Sequence, residues 1–163
     1  MTSDNEKLST LKSLLESANV QFTILCNDAN ISTVKDGANL VSNDFSKLAP
    51  TFILETETGF LAAVITGDTH LSYKKIKWEL NLKNVSLASP QMVKQLTGAE
   101  VGQVSLINPN LQTIVDLCLL EKTEVFGGCG VSHHTLKIKP QALVMVTYAR
   151  VFDFTEKKSN QVI

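Results

Sequence analysis

Apolar and polar positions follow patterns along the chain that predict both helices and strands. Ser3 and Glu6 form a capping box ahead of leucines at helical spacing, which predicts an amphipathic helix ending near Asn19. Residues 51–56 and 60–66 are β-rich runs on either side of a Glu-Thr-Gly segment, a pattern typical of a β-hairpin. Further strands are expected at residues 20–24, 85–87, 112–115, 124–126, 135–138 and 150–154.

Four more helices are predicted from start signals, stop signals and apolar spacing. Ser89 precedes Pro90 in the order of an N-cap and a first helical residue, and Gly98 is a natural end for that helix. Residues 72–82 carry their apolar side chains on one helical face. The other two helices are expected from Ser32 or Thr33 to Leu40, and from Pro140 onward.

No repeat, low-complexity segment or interior linker divides the 163 residues. Together with a hydrophobic content of 44%, this predicts that residues 1–163 form a single α/β domain with a mixed sheet flanked by helices. No apolar run approaches the roughly 18 residues that a membrane span needs. The polar, acidic start of the chain also lacks the features of a secretory signal, so we expect a cytoplasmic protein without a membrane partner.

Charge and cysteine content narrow the classes of function. The net charge is −1, with 15 basic and 16 acidic residues, so any nucleic-acid contact has to be local. Arg150 is the only arginine, which removes most bidentate phosphate clamps. The 3 cysteines have spacings that fit neither a disulfide framework nor a zinc site, so we expect free thiols, no metal and no cofactor. Cys129 has no identifiable base partnered with it and is not expected to be a nucleophile.

Several blocks of the chain resemble the YbaK and prolyl-tRNA editing-domain family. The central blocks are residues 85–90 and 96–105, which read VSLASP and LTGAEVGQVS. The others, in the order that the family shows, are residues 64–68, 124–130, 136–143 and 151–153. The resemblance implies one α/β domain built around a mixed, partly barrel-like sheet.

The resemblance also implies an aminoacyl-tRNA deacylase, which removes a wrong amino acid from the acceptor end of tRNA. An aminoacyl ester is already activated, so such a hydrolase has to hold the carbonyl and stabilise an oxyanion rather than supply a strong nucleophile. In the family the glycine of a G-x-x-x-P loop supplies backbone N–H groups, and Gly102 matches it. We therefore predict Gly102 and Ser105 as catalytic residues, with Gln103 and Val104 binding the substrate.

Three positions depart from the family pattern. Pro50 replaces a lysine that contacts the tRNA end, Leu106 replaces the loop proline, and Ala142 replaces an aspartate that lines the pocket of some members. Lys47, three residues before Pro50, is the candidate to replace the missing lysine because its stem is long and flexible. The departures keep two alternatives open, a non-catalytic homologue that binds tRNA or aminoacyl-adenosine, and a hydrolase of another small acyl ester.

A Gly-Gly-Cys-Gly segment borders the pocket in the family. Gly128 and Gly130 are predicted to border the substrate here, and a tight turn is the alternative explanation for the small residues. Adjacent side chains of an extended segment point to opposite faces, so at most one of His133 and His134 can face a pocket. His134 is the one predicted to bind the substrate. An ordinary polar role for His134 is the alternative.

The helix expected at residues 72–82 offers a local site for RNA. Three lysines occupy its polar positions, where they could follow acceptor-stem phosphates or simply form a solvated face: Lys74, Lys75 and Lys77. The partners implied by the resemblance are the acceptor end of an aminoacyl-tRNA and, as a further candidate, an aminoacyl-tRNA synthetase.

Overall fold

The computed structural model of the chain describes residues 3–28, 30–31 and 33–158. The helices are α1 (Asp4–Ser17), α2 (Tyr73–Leu80), α3 (Pro90–Thr97) and α4 (Pro140–Thr147). The strands are β1 (Phe22–Cys26), β2 (Thr51–Thr56), β3 (Gly59–Val64), β4 (Thr69–Leu71), β5 (Val85–Leu87), β6 (Gln112–Asp116), β7 (Val125–Gly128), β8 (His134–Ile138), β9 (Arg150–Phe152) and β10 (Thr155–Lys157). Short 3₁₀ helices lie at Ala38–Val41, Phe45–Lys47 and Leu117–Glu121.

The helix ends follow the local signals in the sequence. The Ser3 hydroxyl accepts a hydrogen bond from the Glu6 amide at 3.2 Å, and the Ser89 hydroxyl accepts one from the Met92 amide at 3.1 Å. Gly98 ends α3 with a φ of +75°, a left-handed conformation that favours glycine because it has no Cβ. The predicted caps of α1 and α3 are therefore confirmed.

The strands form three sheets. The largest is mixed, with the order β5-β2-β3-β6-β9, antiparallel from β5 to β3 and parallel from β3 to β9. Strands β1, β8 and β7 form an antiparallel sheet, and β10 pairs with β4. Two isolated bridges, Leu48 with Phe126 and Ser105 with Gly128, connect β7 to other parts of the chain. In the described part of the chain the sheets do not close into a barrel.

The mixed sheet separates two apolar layers, because neighbouring residues of a strand point to opposite faces. Leu54 of β2 and Ile114 of β6 pack with Ile76 of α2 on one face. Ile53 of β2 packs on the other face with Val93 of α3. The face of Ile53 matters for function, because it borders the cavity described below.

The predicted helix from Ser32 or Thr33 to Leu40 is wrong for the described residues, and Ser32 lies outside them. Thr33 and Asp36 instead bond reciprocally, with the Thr33 amide 3.2 Å from Asp36 Oδ2 and the Asp36 amide 3.1 Å from Thr33 Oγ1. This is a capping-box arrangement without a helix behind it. Gly37 follows and packs so tightly on Leu48 that a Cβ there would lie 3.1 Å from its side chain. Tertiary packing therefore holds the segment in turns and a short 3₁₀ helix.

The strand expected at residues 150–154 is divided in two. Strand β9 ends at Phe152, and β10 begins at Thr155 in a different sheet. Asp116 explains the break, because its carboxylate accepts a hydrogen bond from the Phe154 amide at 2.9 Å and takes the place of a strand partner. Strand β4, which pairs with β10, was not anticipated from the sequence.

The predicted fold class, an α/β domain with a mixed sheet flanked by helices, is confirmed. The assignment of all residues 1–163 to one domain stays a prediction. Among the described residues, no helix combines the length and the apolar character that crossing a membrane requires.

Candidate functional site

A cavity of ≈ 360 Å³ opens between the mixed sheet, α3 and strand β7. Ile53, Val93 and Phe126 contribute to its wall, which is mostly apolar. None of the described wall residues is Asp, Glu, Lys or Arg. Water can leave such a surface at little cost, so the cavity favours an uncharged ligand group.

Most residues predicted from the sequence lie at this cavity. Its wall includes Gly102, Gln103, Val104, Gly128 and His134. Three other predicted residues are described by the structure but do not line the cavity: Lys47, Ser105 and Gly130.

The turn at Gly102 presents backbone N–H groups next to the cavity. Gly102 has a φ of +88°, and the Gln103 amide closes the turn by donating to the Glu100 carbonyl at 3.0 Å. The Gly102 and Val104 amides have no hydrogen-bond acceptor among the described residues. As whole residues, Val104 is buried, with 5% exposure, and Gly102 is exposed. These two amides are therefore free to bind an oxygen atom of a ligand.

Strand β7 fixes the other side of this turn. Gly128 lies so close to the turn that a Cβ there would be 3.0 Å from the carbonyl carbon of Val104 and closer still to its oxygen. Gly127 likewise leaves room for Leu106, whose Cγ would lie 2.5 Å from a Cβ on Gly127. Both glycines belong to a strand rather than to a tight turn. The close approach of Val104 and Leu106 therefore explains why both positions are glycine.

Leu106 is held by its backbone as well as by its side chain. Its amide donates a hydrogen bond to the Gly128 carbonyl at 3.0 Å, and its side chain is fully buried in the core. A proline at this position has no N–H and could not form that bond. The chain therefore anchors the turn to β7 with a hydrogen bond at the position where the family pattern has a proline.

His134 is the histidine of the pair that reaches the cavity. Its Nδ1 lies 2.8 Å from the Ser132 carbonyl, which can only accept, so Nδ1 carries the proton and Nε2 is an acceptor in the neutral ring. His133 is exposed and has a φ of +62°, so the pair does not form the extended segment assumed from the sequence. Gln103, also in the wall, donates from Nε2 to Asn30 Oδ1 at 2.9 Å.

The residues outside the wall have other surroundings. The Ser105 hydroxyl accepts a hydrogen bond from the Ile107 amide at 3.1 Å, within a local turn. Gly130 lies beside it, since a Cβ on Gly130 would be 3.6 Å from Ser105 Cβ. Lys47 is exposed and ends a 3₁₀ helix just before the wall residues 48–53. The roles assigned to these three residues stay predictions.

The other two departures from the family pattern, Pro50 and Ala142, differ in their position relative to the cavity. Pro50 lies in the cavity wall, so an apolar ring occupies the place expected for a lysine. Ala142 packs against the core cluster that joins α1 and α4, and it is absent from the described wall. The wall also includes Val34 and Leu40, which were predicted only as part of a helix, and Ile31, which precedes that predicted helix. Their apolar character was visible, but the cavity was not.

Cys129 is a core residue rather than a nucleophile. It is 3% exposed, and burial raises the pKa of its thiol to about 12. The thiol is therefore protonated at neutral pH, and only the thiolate is strongly nucleophilic. No group of three or more metal-ligating side chains occurs in the described residues.

We expect iodoacetamide at pH 8 to alkylate Cys26, which is exposed, and to leave Cys129 unmodified in the folded protein. Peptide mass spectrometry measures both sites, and alkylation in urea provides the control in which both should react. Fast modification of Cys129 in the native protein, with loss of activity, would contradict its placement in the core.

Comparison with known proteins identifies the family of the chain. The family model described as the aminoacyl-tRNA editing domain matches residues 28–146. A proline–tRNA ligase of Caldicellulosiruptor saccharolyticus is 25% identical over 87 residues, which are 53% of this chain and 15% of that protein. This chain thus spans only a small part of that relative.

Two solved structures have the same fold. The hypothetical protein APE2540 is 31% identical with a TM-score of 0.83, over 90% of this chain and 99% of that one. A proposed trans-editing enzyme for prolyl tRNA synthetase is 22% identical with a TM-score of 0.78, over 92% of this chain and 97% of that one. The fold is that of an α/β domain of the editing type. The chain belongs to the aminoacyl-tRNA editing domain family, which confirms the resemblance found in the sequence.

Proposed function

We propose that this chain hydrolyses the ester of a mischarged aminoacyl-tRNA, and that the terminal ribose and the aminoacyl group enter the cavity. The observation that carries the proposal is the pair of Gly102 and Val104 amides, which lack acceptors among the described residues and border an apolar cavity of ≈ 360 Å³. Membership of the editing-domain family supports tRNA as the carrier of the acyl group. The size of the cavity suits a small acyl group with part of a nucleoside.

The proposed reaction needs no covalent bond to the protein. Water attacks the ester carbonyl, and the Gly102 and Val104 amides donate hydrogen bonds to the carbonyl oxygen as negative charge develops on it. Collapse of the tetrahedral intermediate breaks the bond between the carbonyl carbon and the ribose oxygen. The neighbouring ribose hydroxyl relays the proton of the attacking water to that oxygen, which leaves a free amino acid and an uncharged tRNA.

Other residues of the site hold the substrate in this proposal. His134 Nε2 accepts a hydrogen bond from a ribose hydroxyl, because its Nδ1 proton is already bound to the Ser132 carbonyl. Gln103 offers its side-chain carbonyl, since its amide nitrogen is bound to Asn30. Gly128 allows the ligand and the turn to approach β7 closely. These contacts would position the ester over the two amides.

Three predicted residues would act at the edge of the site. Gly130 and Ser105 lie side by side next to the turn, where the Ser105 hydroxyl proton can still be donated. Lys47 lies just before the wall and could reach a phosphate of the tRNA end in place of the lysine missing at Pro50. A synthetase that releases mischarged tRNA is a further candidate partner.

The apolar wall of the cavity predicts which amino-acid esters this site hydrolyses fastest. Moving a charged side chain into this cavity would remove it from water without offering a partner of opposite charge. We expect esters of apolar amino acids to be hydrolysed at least about 100-fold faster than esters of aspartate or lysine. Amino-acid release from a panel of correctly and wrongly charged tRNAs, corrected for the uncatalysed rate of each ester, measures this ratio.

The same panel tests the function itself. Clearance of one or a few mischarged species, with correctly charged tRNAs spared, is the expected result. Equal rates for apolar and charged acyl groups would contradict the assignment of the cavity as the acyl site. Hydrolysis of small acyl esters without any tRNA dependence would favour the alternative of a general esterase.

A second candidate is a binding module that holds aminoacyl-tRNA or aminoacyl-adenosine without hydrolysing it. The observation in its favour is Pro50, because the cavity wall of described residues contains no lysine. Binding of a non-hydrolysable aminoacyl-adenosine analogue, together with no turnover of any charged tRNA, would support this candidate over the hydrolase.

A further inference from the structure

The outer face of α2 combines lysines with an exposed tryptophan. With 3.6 residues per turn, Lys74, Lys77 and Trp78 fall within about 100° of arc, on the side opposite the buried Ile76. Trp78 is the only tryptophan of the chain and is 87% exposed. Large aromatic side chains are usually buried, so an exposed one between lysines indicates a surface that a partner covers.

The positive charge on this face is not neutralised by neighbouring carboxylates. Lys75 pairs with Asp153 at 3.1 Å and Glu79 pairs with Arg150 at 2.9 Å, both on the flank of α2 that faces β9. The side chains of Lys74 and Lys77 form no ion pair with any described residue. Asp153 and Glu79 are thus paired with other residues, and Lys74 and Lys77, beside Trp78, have no ion-pair partner among the described residues.

The position of α2 relates this face to the cavity. Helix α2 packs beside β5, the edge strand of the mixed sheet. Leu87 of that strand and Ala88 after it belong to the cavity wall. Because α2 packs on the face of the mixed sheet opposite the cavity, a ligand whose end enters the cavity reaches the outer face of α2 by passing around the β5 edge.

We propose that Lys74, Lys77 and Trp78 form an RNA-binding face that contacts the acceptor arm of the tRNA whose terminus enters the cavity. The lysines bind backbone phosphates, and the indole of Trp78 stacks on an unpaired base or a ribose. This inference rests on the proposed function for the identity of the RNA. It favours RNA over a protein partner, because the two free charges have the same sign and flank an aromatic platform.

Binding of uncharged tRNA tests the face without requiring any turnover. We expect Lys74→Ala/Lys77→Ala to reduce the slope of log affinity against log salt by about one unit for each lysine. Trp78→Ala should weaken binding about tenfold. Matched controls are Lys12→Ala/Lys139→Ala, which removes the same charge from other exposed sites, and Tyr148→Ala, which removes an aromatic side chain that is 93% exposed.

Turnover adds a second readout. The α2 variants should lower kcat/KM for charged tRNA and leave hydrolysis of an aminoacyl-adenosine ester unchanged. If the wild-type protein hydrolyses neither substrate, the proposed function fails, while tRNA binding still decides whether α2 is an RNA face. Binding curves that match those of the controls would overturn the inference. So would α2 variants that bind tRNA normally but lose affinity for a prolyl-tRNA synthetase.

Discussion

Gly102→Pro should lower the rate of aminoacyl-tRNA hydrolysis by at least about 100-fold, the effect of losing one oxyanion donor. Proline removes the N–H group that is proposed to bind the carbonyl oxygen. It also fixes φ near −65°, whereas Gly102 has a φ of +88°. Single-turnover release of the amino acid from a mischarged tRNA measures the effect.

Two glycine variants separate the loss of the donor from backbone strain. Gly102→Ala keeps the N–H group but places a Cβ in the left-handed region, which costs about 1–2 kcal/mol. It should therefore retain more activity than Gly102→Pro. Gly59→Ala imposes similar strain in a hairpin turn, where φ is +132° and no atom lies within 4 Å of the new Cβ, and it should leave activity unchanged.

Thermal unfolding completes the comparison. The Gly102 amide has no acceptor among the described residues, so proline breaks no hydrogen bond of the described fold there. Its ring cannot adopt a φ of +88°, so Gly102→Pro should still unfold cooperatively but at a lower temperature than Gly102→Ala. A folded Gly102→Pro variant with wild-type activity would remove this turn from the proposed mechanism.

Leu106→Pro should destabilise the protein by about 3 kcal/mol or more, although it restores the residue of the family pattern. The change removes the hydrogen bond from the Leu106 amide to the Gly128 carbonyl and shrinks a side chain with 0% exposure. The turn that carries Gly102 would lose its attachment to β7, so activity should fall as well. Urea denaturation at constant m-value measures the stability change.

Leu106→Met is the matched control for this position. It keeps the N–H group and a similar side-chain volume, so it should cost less than about 1.5 kcal/mol and preserve activity. If Leu106→Pro is as stable and as active as the wild type, the bond to Gly128 has no role in holding the turn. The departure from the family pattern would then carry no structural consequence.

Gly102 and Leu106 differ in how much of their structural role could be predicted from the sequence. Gly102 was predicted from the resemblance alone, and the structure adds a positive φ and an amide that has no acceptor among the described residues and lies beside a cavity. At Leu106 the sequence shows only that a proline is missing, and not the hydrogen bond from the Leu106 amide to the Gly128 carbonyl. Likewise, Gly127 and Gly128 were equally compatible with a turn until their contacts with Leu106 and Val104 were visible.

Local signals also failed where tertiary contacts compete with them. The capping box of Thr33 and Asp36 formed, but Gly37 packs closely on Leu48 and only turns and a short 3₁₀ helix follow instead of an α-helix. The break before β10 depends on the carboxylate of Asp116, 38 residues earlier in the chain. Neither effect can be calculated from the neighbouring residues alone.

The sequence by itself determined the family, the fold class, the hairpin of β2 and β3, and the capped ends of α1 and α3. These features rest on residue order and on interactions between residues three or four positions apart, which a sequence displays directly. Only the tertiary structure decided which residues share the cavity, that His134 rather than His133 reaches it, and that Lys47 and Ser105 are not in its wall. The physical reason is that a cavity is the space left between segments distant in sequence, and its shape depends on how their backbones approach one another.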